Sequence, residues 1–163
     1  GQFITTLAQQ NPDINYIGIE KYSSVLLRAV EKQRELELPN LFLLRFDAEY
    51  ICTLFDTDEI ARIYLNFSDP WPKDRHAKRR LPSKNFLDRY NTFLCKDGYV
   101  QFKTDNDGLY DSALEEIEAT GYEITEQTRD LHNSEFESRL TTTEYEDRFR
   151  ERGKNINYVK IVV

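Results

Sequence analysis

Residues 62–80 read RIYLNFSDPWPKDRHAKRR. The first six, 62–67, are mostly β-branched, aromatic and apolar, the composition of a strand. Ser68 and then Asp69 follow. Pro70 and Pro72 then flank Trp71 and restrict φ on both sides of it. The next octet, 73–80, carries Lys73, Arg75, Lys78, Arg79 and Arg80 against Asp74, a local charge of +4 with His76 neutral. In open α/β sheets, ligands bind beyond the carboxyl ends of the strands. A strand that runs into a stiff acidic turn and then into a cation cluster has the form of such an exit.

The surrounding sequence repeats the strand and interleaves it with helices. Phe3, Ile4 and Leu7 predict a helix over 2–10, and Asn-Pro-Asp at 11–13 a turn. INYIGIE at 14–20 predicts a buried strand. Residues 23–37, with Val25, Leu26, Ala29 and Val30 on one face and a serine to cap the start, predict a helix. LFLLRF at 41–46 predicts a strand ending at Asp47, with a short helix near 49–55. Phe86, Leu87, Tyr90, Phe93 and Leu94 form one helical face in 83–94. Asp97-Gly98 turns the chain into the strand YVQFKT, 99–104. A helix over 106–120, a strand over 122–130, a polar stretch over 131–142, a last helix and the strand 155–163 complete the chain. This alternation predicts an α/β fold, a mostly parallel twisted sheet with helices on both faces, in one domain over 1–163.

Composition narrows the function. The 163 residues are 39% hydrophobic and 13% aromatic, enough for a folded core. No apolar run approaches the roughly 18–20 residues that span a membrane, so we expect no membrane partner and a cytoplasmic location. Cys52 and Cys95 make neither a disulfide framework nor a metal cluster, and are expected as free thiols with no metal bound. The net charge is −7, so the residues outside 73–80 carry −11. Acidity of the whole chain argues against nucleic acid, but a local basic patch overrides that argument. The chain has no methionine and opens on Gly1. From this we expect an N-terminal part, containing a first strand and most of a glycine-rich turn, to be missing.

Four acids stand at four successive strand ends: Glu20, Asp47, Asp69 and Asp105. Glu20, at the end of the first strand present, suits a pair of ribose hydroxyls. Asp47 suits an adenine amino group. Asp69 beside Trp71 suits a planar base, the acid bonding its edge and the indole stacking. The cations of 73–80 suit phosphates.

The segments YLNFSDPWPK, RHAKRRL, FKTDN, DLHNS and TEYEDRF, in this order along the chain, closely resemble the bacterial tRNA (guanine-N7)-methyltransferases. That resemblance implies a Rossmann-like class I methyltransferase fold, S-adenosyl-L-methionine as cofactor, and a guanosine of the tRNA variable loop as substrate. It implies cofactor-site roles for Gly1, Glu20, Asp47 and Asp69, with Asp69 also catalytic. It implies substrate contacts at Lys73, Asp105, Thr143, Glu144, Tyr145 and Glu146. It implies RNA contacts at Arg75, His76, Ala77, Lys78, Arg79 and Arg80. Thr143-x-x-Glu146 is equally a capping box for the last helix, and both readings stand together.

Two other enzyme readings and one binding reading compete. An amino-group methyltransferase acting on adenine usually shows Asn/Asp-Pro-Pro-aromatic where this chain has Asp-Pro-Trp-Pro. A nicotinamide dehydrogenase would need a hydride-transfer His or Lys site. A non-catalytic RNA-binding module would need the cations and not the acids. We expect a monomer or homodimer that binds tRNA and S-adenosylmethionine. Residues 131–142 are expected to act as a mobile lid over the acidic rim, with a loop packed through Leu131, Phe136 and Leu140 as the alternative.

Overall fold

A computed structural model describes residues 1–163. Six strands and five helices alternate: α1 (Gln2–Gln10), β1 (Tyr16–Glu20), α2 (Ser23–Leu36), β2 (Leu41–Arg45), β3 (Ile60–Asn66), α3 (Lys84–Asn91), β4 (Leu94–Thr104), α4 (Asp107–Glu118), β5 (Glu123–Thr128), α5 (Glu144–Glu151) and β6 (Asn157–Val162). Short 3-10 turns occupy Ala48–Thr53, Asp74–Arg79, Leu131–Asn133 and Glu137–Leu140.

The pairing sets the site. β1 and β2 are parallel, Tyr16 opposite Leu41 through Glu20 opposite Arg45. β3 and β4 are parallel, Arg62 opposite Tyr99 through Asn66 opposite Lys103. β6 lies between β4 and β5 and is antiparallel to both, so β3, β4 and β5 run one way and the last strand returns. The two-stranded and four-stranded groups share no ladder. They meet through side chains: Phe3 of α1 packs edge-on against Tyr64 of β3 at 5.2 Å, and Ile19 of β1 packs on the main core.

Side-chain alternation along a strand divides the two faces. Leu65, Val100, Phe102, Val159 and Ile161 pack with Phe86, Leu87 and Tyr90 of α3 and with Leu109, Tyr110, Ala113 and Ile117 of α4. The opposite parity of β4 places Lys103 toward α1 and α5, where Leu131, Ile156 and Tyr158 form a smaller cluster with Phe67, Phe136 and Phe149. Helices therefore cover both faces.

Several local expectations change. The strand over 14–20 is only half covered. Tyr16 and Leu41 pack on Ala8 of α1, while Ile17 and Phe42 on the other face are exposed. No serine caps α2: Tyr22 occupies the cap position without a side-chain bond, and its amide is held by Glu20 Oε1 at 3.1 Å. Leu94 belongs to β4 and not to the face of α3. The strand is interrupted at Asp97-Gly98, where pairing jumps from Ile60–Leu94 to Arg62–Tyr99. Asp97 has φ 64°, and a Cβ on Gly98 would meet Cys95 O at 2.8 Å, so only glycine fits. The polar stretch 131–142 is built from two 3-10 turns. Leu131 is fully buried and Phe136 packs against Tyr158, whereas Leu140 is 70% exposed and anchors nothing.

Leu87 sits in the centre of the core with 1% of its surface exposed. Leu87→Ala is expected to destabilise the fold by about 2–5 kcal/mol, read as a lowered denaturant midpoint, because the helix–sheet packing cannot close over the cavity.

Candidate active site at the strand exits

The parallel register brings the acids together in two pairs. At the β1 and β2 exits, Glu20 Oε1 accepts from Tyr22 N, and Asp47 Oδ1 accepts from Glu49 N at 3.0 Å, starting the 48–53 turn. Lys21 Nζ lies 3.4 Å from Asp47 Oδ2. The Glu49 amide holds the Asp47 carboxyl below its usual range, opposed by burial and aided by Lys21. An open hollow lined by Lys21, Arg45, Phe46, Asp47 and Tyr50 faces outward here. Gly1 lies beside this pair. Its backbone approaches α2 so closely that a Cβ would stand 3.1 Å from Ala29 Cα.

The β3 exit is a strained turn. Phe67 has φ 53° and Trp71 φ 42°, both left-handed. Trp71 precedes Pro72, a position normally driven to extended backbone. Each such residue costs on the order of 1–3 kcal/mol and persists only when its surroundings hold it. Arg80 does so. Its Nε donates to Pro70 O (3.1 Å) and Trp71 O (3.0 Å), Nη2 to Trp71 O (2.8 Å), and Nη1 to Ser112 Oγ of α4 (3.0 Å). Arg79 lies over the indole at 5.1 Å and His76 packs against its edge at 5.4 Å. Asp69 is exposed at the top of the turn, and the bonds that shape the turn leave its carboxylate free.

At the β4 exit the neighbours of Asp105 build the bend. Asn106 N donates to Thr104 Oγ1, and Asn106 Oδ1 caps α4 by accepting from Leu109 N. Asp105 is half-buried beside the β3 turn, since Asn66 pairs with Lys103 two residues earlier. Tyr145 of α5 completes this side. It is 59% exposed and stacks on Phe67 at 6.5 Å and 21°.

The structure thus gathers Gly1, Glu20 and Asp47 on one side and Asp69, Asp105 and Tyr145 on the other, with Glu144 near Gly1. Lys73, Arg75, Lys78 and Arg79 are exposed around the β3 turn; Ala77 is half-buried and contributes only its carbonyl, which accepts from Arg80 N. Three expectations need correction. Arg80 points inward to carbonyls and is not placed for RNA phosphate. The indole of Trp71 is already covered by Arg79, so it presents no free face on that side. Glu146 has 0% exposure, and its carboxylate is engaged by Lys103 Nζ (3.0 Å) and His132 Nε2 (2.5 Å). It is not placed to touch substrate. Thr143 Oγ1 does accept from Glu146 N, but Glu146 does not return the bond, so only half of the capping box forms. Sequence reading passed over Lys103 and the inward role of Arg80. A lysine in a strand whose neighbours pair on both sides was the available signal for the first.

The family model described as "Putative methyltransferase" matches residues 1–159. The chain is 61% identical over 157 residues to a tRNA (guanine-N(7)-)-methyltransferase of Lachnoclostridium phytofermentans, covering 96% of this chain and 73% of that protein. It is 51% identical over 160 residues to a protein of the same name from Bacillus cytotoxicus, covering 98% and 73%. Among solved structures, the 16S rRNA methyltransferase KamB superposes with a TM-score of 0.73 at 14% identity, covering 100% of this chain and 83% of that one. A SAM-dependent methyltransferase from Aquifex aeolicus superposes with 0.65 at 12%, covering 98% and 74%. These two likenesses establish the class I methyltransferase fold.

Because Arg80 restrains the strained turn, Arg80→Ala is expected to lower stability by about 1.5–3 kcal/mol, the scale of hydrogen bonds made by a charged donor. Arg75→Ala, at an exposed position nearby, is expected to leave the melting temperature unchanged. Equal melting curves for the two would show that Arg80 does not restrain the turn.

Proposed function

The chain belongs to the tRNA (guanine-N(7)-)-methyltransferase family, and from that premise we propose how its own residues move a methyl group from S-adenosyl-L-methionine to N7 of a guanosine in the tRNA variable loop. The observation that carries the reading is the β3 turn. A free carboxylate, Asp69, stands on a strained backbone locked by Arg80, between the half-buried Asp105 and a ring of exposed cations.

The residues at the β1 and β2 exits fit the cofactor. Gly1 itself needs glycine because its backbone packs on α2, where a Cβ would stand 3.1 Å from Ala29 Cα. Glu20 and Asp47 each use one oxygen for a backbone amide; the second oxygen of Glu20 is left for ribose, and that of Asp47 is shared with exposed Lys21, which a ligand group can displace. When bound, S-adenosylmethionine supplies an electrophilic methyl group on a sulfonium centre.

The remaining work falls to the protein. Guanine N7 already presents a lone pair, so no proton needs to leave before attack. Positioning and electrostatics therefore supply the catalysis. Asp69 and Asp105 flank the place where the base enters. A carboxylate there accepts from guanine N1–H and the exocyclic amino group, which adenine cannot satisfy in the same way. The same negative charge favours the cationic ring formed by N7 methylation. Tyr145, stacked on Phe67, offers an aromatic surface beside the base. Lys73, Arg75, Lys78 and Arg79 hold the RNA backbone by phosphate contacts, which give position and not sequence. No helix is long and apolar enough to cross a membrane; the substrate argues for a cytoplasmic place of action.

Asp69→Asn is expected to fold normally and to lower single-turnover methyl transfer to tRNA by about 100-fold or more, the scale for losing one positioned polar group. Near-normal turnover in the folded variant would remove Asp69 from the mechanism. Neutralising Arg75, Lys78 and Arg79 together is expected to weaken tRNA binding and to flatten its log–log salt dependence by roughly 0.7–0.9 per lost contact, with cofactor affinity unchanged. An unaltered slope would mean that these cations are merely solvated.

A further inference from the structure

Lys103 is 1% exposed near the end of β4, and its three ammonium donors are all used: Ser138 O at 2.8 Å, Thr141 O at 2.8 Å and Glu146 Oε1 at 3.0 Å. Glu146, 0% exposed on α5, receives His132 Nε2 on its second oxygen at 2.5 Å. One buried ion pair thus joins β4, both 3-10 turns of 131–140, and the first turn of α5. A second pin comes from α1. Gln2 Nε2 donates to Thr142 O (3.3 Å), Thr142 Oγ1 (3.2 Å) and Asp147 Oδ2 (3.0 Å). Between the pins only Glu144 and Tyr145 are exposed, and they lie next to Gly1 and Phe67.

A buried ion pair is a poor means of adding stability. Apolar side chains of similar volume often do as well, whereas removing one partner leaves a stranded charge and is strongly destabilising. What the pair supplies here is a unique placement. Nothing in the aromatic contacts alone fixes where α5 begins relative to β4. The Lys103–Glu146 bond ties the residue after Tyr145 to the residue two before Asp105.

We propose that Lys103, Glu146 and His132 form a buried positioning unit that sets Tyr145 beside the β3 and β4 exits, so that the tRNA guanosine meets a formed site. The unit touches neither substrate nor cofactor. The inference rests on the reading that this rim receives the guanosine, and it changes the role of Glu146 from a substrate contact to an anchor.

The test compares Lys103→Met, Glu146→Gln and the double variant with the parent enzyme in three readouts: melting temperature, calorimetric affinity for S-adenosylhomocysteine, and kcat and KM for tRNA. Each single change is expected to lower the melting temperature. The double variant, which strands no charge, is expected to regain part of it, the rest being the cost of the Ser138 and Thr141 carbonyls that lose their donor. Its kcat/KM for tRNA is nevertheless expected to stay down on the order of 10–100-fold, as misplacement of a binding group demands, with the affinity for S-adenosylhomocysteine within about twofold of the parent. Recovery of kcat/KM together with stability would reduce the unit to a structural role. A parallel loss of S-adenosylhomocysteine affinity would place its effect on the cofactor side. Either result overturns the proposal. Should the double variant not fold, isosteric Glu146→Gln decides by the same split. If the parent enzyme failed to methylate tRNA, the functional reading would fall. The anchor would still be read by amide exchange over 142–147, where unchanged protection in the variants would refute it.

Discussion

The parallel pairing of β3 with β4 is the constraint on which the rest depends. With Asn66 opposite Lys103, the turn after β3 and the bend after β4 emerge side by side. Asp69 and Asp105 share a rim for that reason alone, although 36 positions separate them in sequence. A slip of one residue would turn every side chain of β3 to the other face. It would take Leu65 out of the core and break the alternation that sends Val100 and Phe102 to α3 and α4 but Lys103 to α5. The same register logic, Glu20 opposite Arg45, sets the acids of the first two strands together.

On this frame the molecule separates rigidity from charge. Asp69, the acid proposed for the chemistry, sits on a backbone that would not hold its shape in water, with Phe67 and Trp71 left-handed. Arg80, the last cation of the basic octet, is used to hold it. The cost in strain is offset by bonds from one guanidinium to two carbonyls and to Ser112 of α4. Pinning the turn to a helix also removes the freedom that a flexible acidic loop would have, which favours a carboxylate preset for a forming positive charge.

Charge is distributed to match two ligands of opposite need. The carboxylates at four strand ends suit ribose, base and a cationic product, and the exposed cations Lys73, Arg75, Lys78 and Arg79 beside them suit phosphate. The −11 outside the octet keeps most of the surface repulsive to RNA, so that electrostatic attraction is concentrated where the acids lie.

The sequence by itself determined the alternation of strands and helices, the places of the four acids at strand ends, and the cap of α5 at Thr143. These follow from period-2 and period-3.6 patterning and from side chains that bond the backbone three residues on, all of which are local. The roles of Arg80, Lys103 and Glu146 were decided only in three dimensions. Each carries a charge whose direction depends on partners far along the chain: Ser112 is 32 residues from Arg80, and Glu146 is 43 from Lys103. In sequence, a charged side chain reads as exposed and available. Only packing, which removes water from Lys103 and Glu146 together, turns Glu146 from a candidate substrate contact into half of a buried ion pair.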